Sequence, residues 1–242
     1  FQSGQRKLAL SFRLAHTPGA KEETTMSKIE TVAIKPPKLE TASFVIVGTA
    51  PYVQHKFSAK ARQQMMDKQA AGSQAKNGKQ RDPKNFDEVF EQAQHLAGEG
   101  WNGIPAPAFR SSMIDACRLV NFKMTLAKQA LFVEPDGFDK DDGIPLVRIE
   151  GEKERHEGLV RNETGVADIR VRPMWRVWHA AVRVTYDAEQ FSHTDVANLL
   201  ARAGAQVGIG EGRPFSKQSH GMGWGTFRIA TEAEVNELKE AA

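Results

Sequence analysis

Near the end of the chain, Val207-Gly208-Ile209-Gly210-Glu211-Gly212-Arg213-Pro214-Phe215-Ser216-Lys217-Gln218-Ser219-His220-Gly221-Met222-Gly223-Trp224-Gly225 interleaves glycines with Arg213, Lys217, His220 and two aromatic residues. Glycine adopts positive φ without strain and lets a backbone approach a ligand closely. Exposed amides beside cations suit an anion such as a phosphate group, and hold it without reading a base. Gly208, Gly210 and Gly212 are therefore ligand-facing candidates, with Arg213, Lys217 and His220 adding charge. The run lacks the Gly-Lys-Ser/Thr ending of a nucleoside-triphosphate loop, and it does not open a helix with Gly-x-Gly-x-x-Gly. The alternative is a long glycine-rich turn before a final strand.

A second basic feature lies upstream. Ile169, Val171, Trp175 and Val177 alternate with Arg170, Arg172 and Arg176, a period of two with a basic face. Three guanidinium forks on one strand face match phosphate geometry; the alternative is a charged edge that stays in water. Trp178, at the point where the alternation changes register, and Phe215, between Arg213 and Lys217, are candidates for stacking bases. Trp175 lies on the apolar side and reads as core. Lys56, Lys60, Arg62 and the basic stretch Lys76, Lys79, Arg81 and Lys84 are further cations, best read as solvated.

His55, followed by Lys56, comes soon after the first strand. The pair has the chemistry to take a proton from a ribose 2′-hydroxyl and to stabilise a pentacoordinate phosphate. The other histidines show no metal spacing, and a single cysteine makes no zinc knuckle. Asp139, Asp141 and Asp142 resemble part of a calcium loop but lack its closing glutamate, so the segment reads as a solvated turn. No metal and no cofactor is expected.

These residues need elements to hold them. Thr41–Val47 has the composition of a strand. Ser58 can cap a helix over Ala59–Gln69, and Phe86–Leu96 shows a helical period. Phe109, Met113, Ala116, Cys117 and Val120 fall on one helix face, after a start at Pro107; Arg110 lies off that stripe and joins the binding candidates. Leu131–Val133, Pro145–Glu150 and Leu159–Arg161 are short strand candidates. Past Trp178 the inward set becomes Ala180, Val182, Val184 and Tyr186, which implies a bulge or a turn between two strands. Pro173 argues that the first of these is an edge or lies beside a bulge. Ser192 or Thr194 caps a helix through Ala203, Trp224–Ile229 is a last strand, and Thr231-Glu232-Ala233-Glu234 is a capping box. The order fits an α+β, βαββαβ ferredoxin-like core.

The chain has 242 residues, 40% hydrophobic and 26% charged, enough for one elaborated domain. A net charge of +3 is too small for a general nucleic-acid coat, so any basic surface must be local. Cys117 stands alone, which forbids an internal disulfide and points to a reducing cytoplasm. No apolar run approaches the roughly 18 residues of a membrane span. Residues 1–25 read as a tag remnant, leader or flexible arm, because Met26-Ser27-Lys28 resembles a natural start. Residues 26–242 then form one domain with an insertion around 70–100.

Two segments together resemble the RAMP superfamily, the repeat-associated proteins of CRISPR effector complexes. Ile104-Pro105-Ala106-Pro107-Ala108-Phe109-Arg110 is similar to that family's helix start, with Ala106-Pro107 in place of the usual Gly-Ser. Gly208–Phe227 resembles its C-terminal glycine-rich loop. The resemblance implies a ferredoxin-like, RRM-like core with helical and loop insertions that binds single-stranded RNA. It also implies possible self-assembly along the strand, in a CRISPR component or a stand-alone relative such as one from a bacteriophage. Single-stranded RNA or DNA is the expected partner, RNA favoured by the resemblance alone. Cutting members of the family place a general-base histidine near the position of His55, so a metal-independent endoribonuclease is the alternative. A protein-interaction module that mimics or caps a CRISPR-type complex is another.

Overall fold

The computed structural model describes residues 34–57, 63, 66–67, 85–161, 167–215 and 221–240. Lys60, Arg62, the basic stretch 70–84, Lys217, His220 and residues 1–25 lie outside them. By contacts the chain divides into Phe1–Pro36 and Pro37–Ala242, and the fold is that of the second unit.

The elements are β1 (Leu39–Gly48), β2 (Tyr52–Val53), α1 (Phe86–Gln92), β3 (Gly103–Pro105), α2 (Ala106–Ala116), α3 (Met124–Ala130), β4 (Leu131–Glu134) and β5 (Gly137–Phe138). They continue with β6 (Pro145–Arg148), β7 (Lys153–Arg161), β8 (Ala167–Trp175), β9 (His179–Asp187), α4 (His193–Arg202), β10 (Phe227–Ile229) and α5 (Glu232–Glu240). The architecture is α+β. The main sheet has the order β10-β1-β9-β4 with every neighbour antiparallel. Two three-stranded sheets, β2-β8-β7 and β3-β6-β5, lie beside it.

Period-two alternation builds the main sheet. Ala42, Phe44 and Ile46 of β1 and Ala180, Val182, Val184 and Tyr186 of β9 are buried, whereas the residues between them are not. The buried set meets Phe109 and Met113 of α2 and Val196, Leu199 and Leu200 of α4 in one core. Full burial of each valine, leucine, isoleucine, phenylalanine or methionine of this set contributes about 1.5–3 kcal/mol. Ser192 accepts from Asp195 N while Asp195 answers the Ser192 amide, so α4 starts on a reciprocal cap. The Thr231–Glu234 pair starts α5 in the same way.

Several expectations need correction. The buried stripe of α2 stops at Cys117, because the chain tightens into a 3₁₀ turn over Cys117–Val120 and Asn121 takes φ 55°. Val120 is 45% exposed as a result. β7 is far longer than Leu159–Arg161: its first half, Lys153-Glu154-Arg155-His156-Glu157, carries no apolar alternation to reveal it. The register change near Trp178 needs no correction: of the two alternatives it is the turn between two strands, and these belong to different sheets, since β8 pairs with β2 and β7 while β9 pairs with β1 and β4. Pro173 is not on an edge strand. β8 is central, but the β2 ladder ends at Met174, and beyond it Gln54 N donates to Pro173 O at 3.1 Å. Among the described residues, no helix is long and apolar enough to cross a membrane.

Candidate functional site

The segments that carry chemistry converge on one cleft of about 400 Å³. Its walls are Tyr52–His55 after β1, one side of α2 from Pro105 along its length to Asp115, and the loop Val207–Arg213, with His95 also in the lining. α4 delivers the loop. Its last turn widens into a π-helical stretch, Ala203–Val207, which ends at Gly208 with φ 72°. The side walls are tied by backbone bonds: Glu211 N donates to Val53 O at 3.0 Å, and Gly225 N to Pro51 O at 2.7 Å.

Those bonds correct the expected use of the loop amides. Gly208 N donates to Ala203 O, Ile209 N to Gly225 O, and Phe215 N to Val207 O, so these donors serve the fold. Gly210 has φ 75°, and a Cβ there would stand 2.6 Å from the Tyr52 ring and 2.7 Å from Val53 O. The close approach at Gly210 is thus to the protein's own β2. Gly208 and Gly212 are packed likewise, against Pro214 and Trp224.

The arginine face is next to the glycine loop, but only part of it meets solvent. Arg176 is exposed and pairs with Glu154 at 2.7 Å. Arg170 is half-buried. Arg172 is 3% exposed, because the loop lies over it and Glu211 comes within 3.1 Å of its Nη2. The other carboxylate oxygen of Glu211 is 3.6 Å from His55 Nδ1. His55 first, then Arg172, draw the Glu211 pKa down to about 2 against the opposing effect of burial. Arg213 Nη1 donates to Gly210 O at 2.9 Å and so braces the turn.

Three other candidates are structural. Trp178 is 1% exposed, packs against Tyr52 and Phe227, and donates its indole N–H to Ala50 O, so no base reaches its ring. Arg110 donates to the carbonyls of Leu131 and Lys128 at the end of α3 and lies over the Phe132 ring. Lys56 turns away from a phosphate role. Its ammonium is 2.6 Å from Asp139, 2.8 Å from Asp141 and 4.0 Å from Asp142. Burial opposes the Lys56 charge, but the carboxylates outweigh it and raise its pKa. Phe215 remains 44% exposed, with the Arg118 guanidinium 5.9 Å from its ring centroid.

Sequence reasoning missed His95 and Asp139. Asp139 is a buried anion, not part of a solvated turn, and its Oδ2 lies 2.9 Å from His95 Nδ1. Burial raises the Asp139 pKa, but Lys56, the Asp141 amide and His95 more than reverse that. Burial also holds the His95 imidazole below its usual range, with Asp139 opposing. The geometry favours the proton on Nδ1, facing Asp139, and leaves Nε2 as an acceptor. His95, Asp139 and Asp142 also bring ligand-type atoms within 4.8 Å of one another, but Lys56 already supplies the cation there. Gln54 links this cluster to the cleft wall: it accepts from His95 N at 3.0 Å and donates to Gly103 O at 2.5 Å.

No protein-family model matches the chain, and no curated protein matches it.

Proposed function

We propose that the chain is a single-stranded nucleic-acid-binding protein, RNA favoured, on a ferredoxin-like core of RAMP type. Support for the core is the chain order β1, α2, β4, β9, α4, β10 combined with the sheet order β10-β1-β9-β4. That is a βαββαβ unit, with the sheets of β2-β8-β7 and β3-β6-β5 as insertions. The observation that carries the function is the meeting of the Pro105 helix start with the Val207–Arg213 loop at one cleft, backed by His55 and the Arg170–Arg172 strand. The cleft lining carries Arg213, His55 and His95 beside the carboxylates Asp115 and Glu211; a strand held there by its phosphates and not by its base edges is bound largely independently of sequence. Assembly of copies along the strand belongs to the same reading. The test is a filter-binding series with labelled single-stranded RNA and DNA. Affinity should fall at least roughly tenfold between about 50 and 200 mM salt, through counterion release. Absence of binding at the lowest salt would overturn the reading.

A second reading has its own observation: two histidines, His55 and His95, line the same cleft, each beside a carboxylate. Metal-independent cleavage of RNA needs a base for the 2′-hydroxyl and an acid for the leaving 5′-oxygen. A neutral His95 held by Asp139 suits the base, and His55 beside Glu211 suits the acid. RNA products formed in chelator by the wild type and lost in both His55→Ala and His95→Ala would establish this activity.

A further inference from the structure

Arg172 is 3% exposed, yet among the described residues its Nε and Nη2 have no aligned hydrogen-bond acceptor. The Glu211 carboxylate is near enough to Nη2 for an ion pair, at 3.1 Å, but not in line with either N–H. A buried guanidinium with idle donors is costly, so the site is short of acceptor oxygens. Glu211 is also shared. Its second oxygen turns to His55, and Arg170 adds to the positive field around it. Glu211 and His55 line the cleft, whereas Arg172 lies behind Glu211, so one carboxylate separates a buried cation from the open space.

We propose that Glu211 is an internal stand-in for a phosphate group, and that a phosphate entering the cleft exchanges with it on Arg172 and His55. A tetrahedral phosphate offers oxygens in several directions, so it can meet Nε and Nη2 of Arg172 while still reaching His55; a planar carboxylate shared between two cations cannot. The shared chemistry is a phosphate group, in a nucleic-acid backbone or free, and two probes, RNA and inorganic phosphate, separate these sources. The proposal rests on the phosphate-binding reading of this cleft, and names the residue that occupies it when no ligand is present. No bond is made or broken in the exchange.

The experiment uses Glu211→Gln, which keeps the side chain's size and removes its charge, with inorganic phosphate and a short single-stranded RNA as separate probes. Without its counterion Arg172 is left buried and unpaired, so the variant melts below the wild type. Inorganic phosphate should then raise the variant's Tm by at least about 3 °C more than it raises the wild type's, against a chloride control of equal ionic strength. The added Arg172→Met substitution should abolish that gain. The RNA should bind Glu211→Gln roughly tenfold more tightly than the wild type, because the competing carboxylate is gone. If Glu211→Gln fails to fold, Glu211→Asp, whose shorter carboxylate draws back from Arg172 but keeps its charge, takes its place; phosphate rescue and tighter RNA binding should then go in the same direction with smaller size, and the absence of both overturns the proposal. Rescue by phosphate without tighter RNA binding keeps the exchange site and removes the nucleic-acid reading. Tighter, Arg172-dependent RNA binding without rescue by phosphate keeps the exchange for a strand alone. Neither effect, in a folded variant, overturns the proposal.

Discussion

Gly225 presses so closely on the carbonyl of Ile209 that a Cβ at Gly225 would overlap that oxygen, and Ile209 N returns a hydrogen bond to Gly225 O at 3.0 Å. This contact clamps the start of the glycine loop to its end. Gly223, two residues earlier, has a similar φ of 77°, but a Cβ there would meet nothing within 4 Å. Gly223→Ala should therefore cost about 1–2 kcal/mol, the left-handed penalty alone. Gly225→Ala should cost at least about 1 kcal/mol more, because backbone must also move. Urea denaturation of the two variants checks the order, and equal losses would show that the clamp adds nothing.

The buried ammonium of Lys56 gives a second prediction. Lys56→Met removes the cation from Asp139, whose side chain is fully buried, and leaves that carboxylate uncompensated. Breaking one half of such a pair costs about 3–5 kcal/mol. Because Lys56 points into this cluster and not into the cleft, nucleic-acid affinity of the folded fraction should be unchanged. A loss of affinity without a loss of stability would return Lys56 to the binding site.

Stability should fall with acid in two windows. The His95 pKa is lowered from 6.5 by burial, so the folded state binds fewer protons than the unfolded chain there. The stability contributed by neutral His95 is present above 6.5 and is lost as pH falls through its lower folded value. Glu211, lowered from 4.5 to about 2, contributes stability that is present above 4.5 and disappears as pH approaches 2. Denaturation from pH 7 downward should show both losses. His95→Gln should flatten the upper window and Glu211→Gln the lower; an unchanged profile in either variant contradicts its assignment.

What was legible in the sequence was local. The alternation of Ala42, Phe44 and Ile46, the Ser192–Asp195 cap and the α2 stripe as far as Cys117 all arise within one element, and each stands where its pattern places it. The candidate site depended on contacts across the chain. Asp139 looked like one acid in a polar turn because its partners His95 and Lys56 lie 44 and 83 residues away. The arginine alternation was real, but nothing in residues 167–176 tells that the glycine loop comes down on Arg172. Trp178 sits at a register break, where exposure was the natural expectation. Its burial follows from β1 and β10: the Gly48 backbone lies against the indole, and Phe227 packs on the same ring.

Arg110 separates a structural cation from a ligand-binding one. It donates to the carbonyls of Lys128 and Leu131, which the end of α3 would otherwise leave open. Arg110→Ala should lower stability by about 1–3 kcal/mol. RNA affinity measured on the folded protein should stay within roughly twofold, since the described partners of the guanidinium, Leu131, Lys128 and Phe132, do not line the cleft. A steep affinity loss at unchanged Tm would put Arg110 on the nucleic acid.

The aromatic residues give the sharpest division between fold and binding. Trp178 is 1% exposed among Tyr52 and Phe227, and Trp178→Ala should cost about 3–5 kcal/mol as a cavity. Phe215 is 44% exposed at the rim of the loop, with Arg118 near its ring. Its truncation removes little packing, so Phe215→Ala should leave the melting temperature nearly unchanged. If a base stacks there, losing the ring removes about 1–3 kcal/mol of binding, roughly 5- to 150-fold in affinity. Phe215→Tyr keeps the π face and should retain most of it. Equal RNA affinity in wild type, Phe215→Ala and Phe215→Tyr would show that the strand passes the loop without stacking on it. Binding would then rest on the charges of the cleft alone, and its salt dependence should be correspondingly steep.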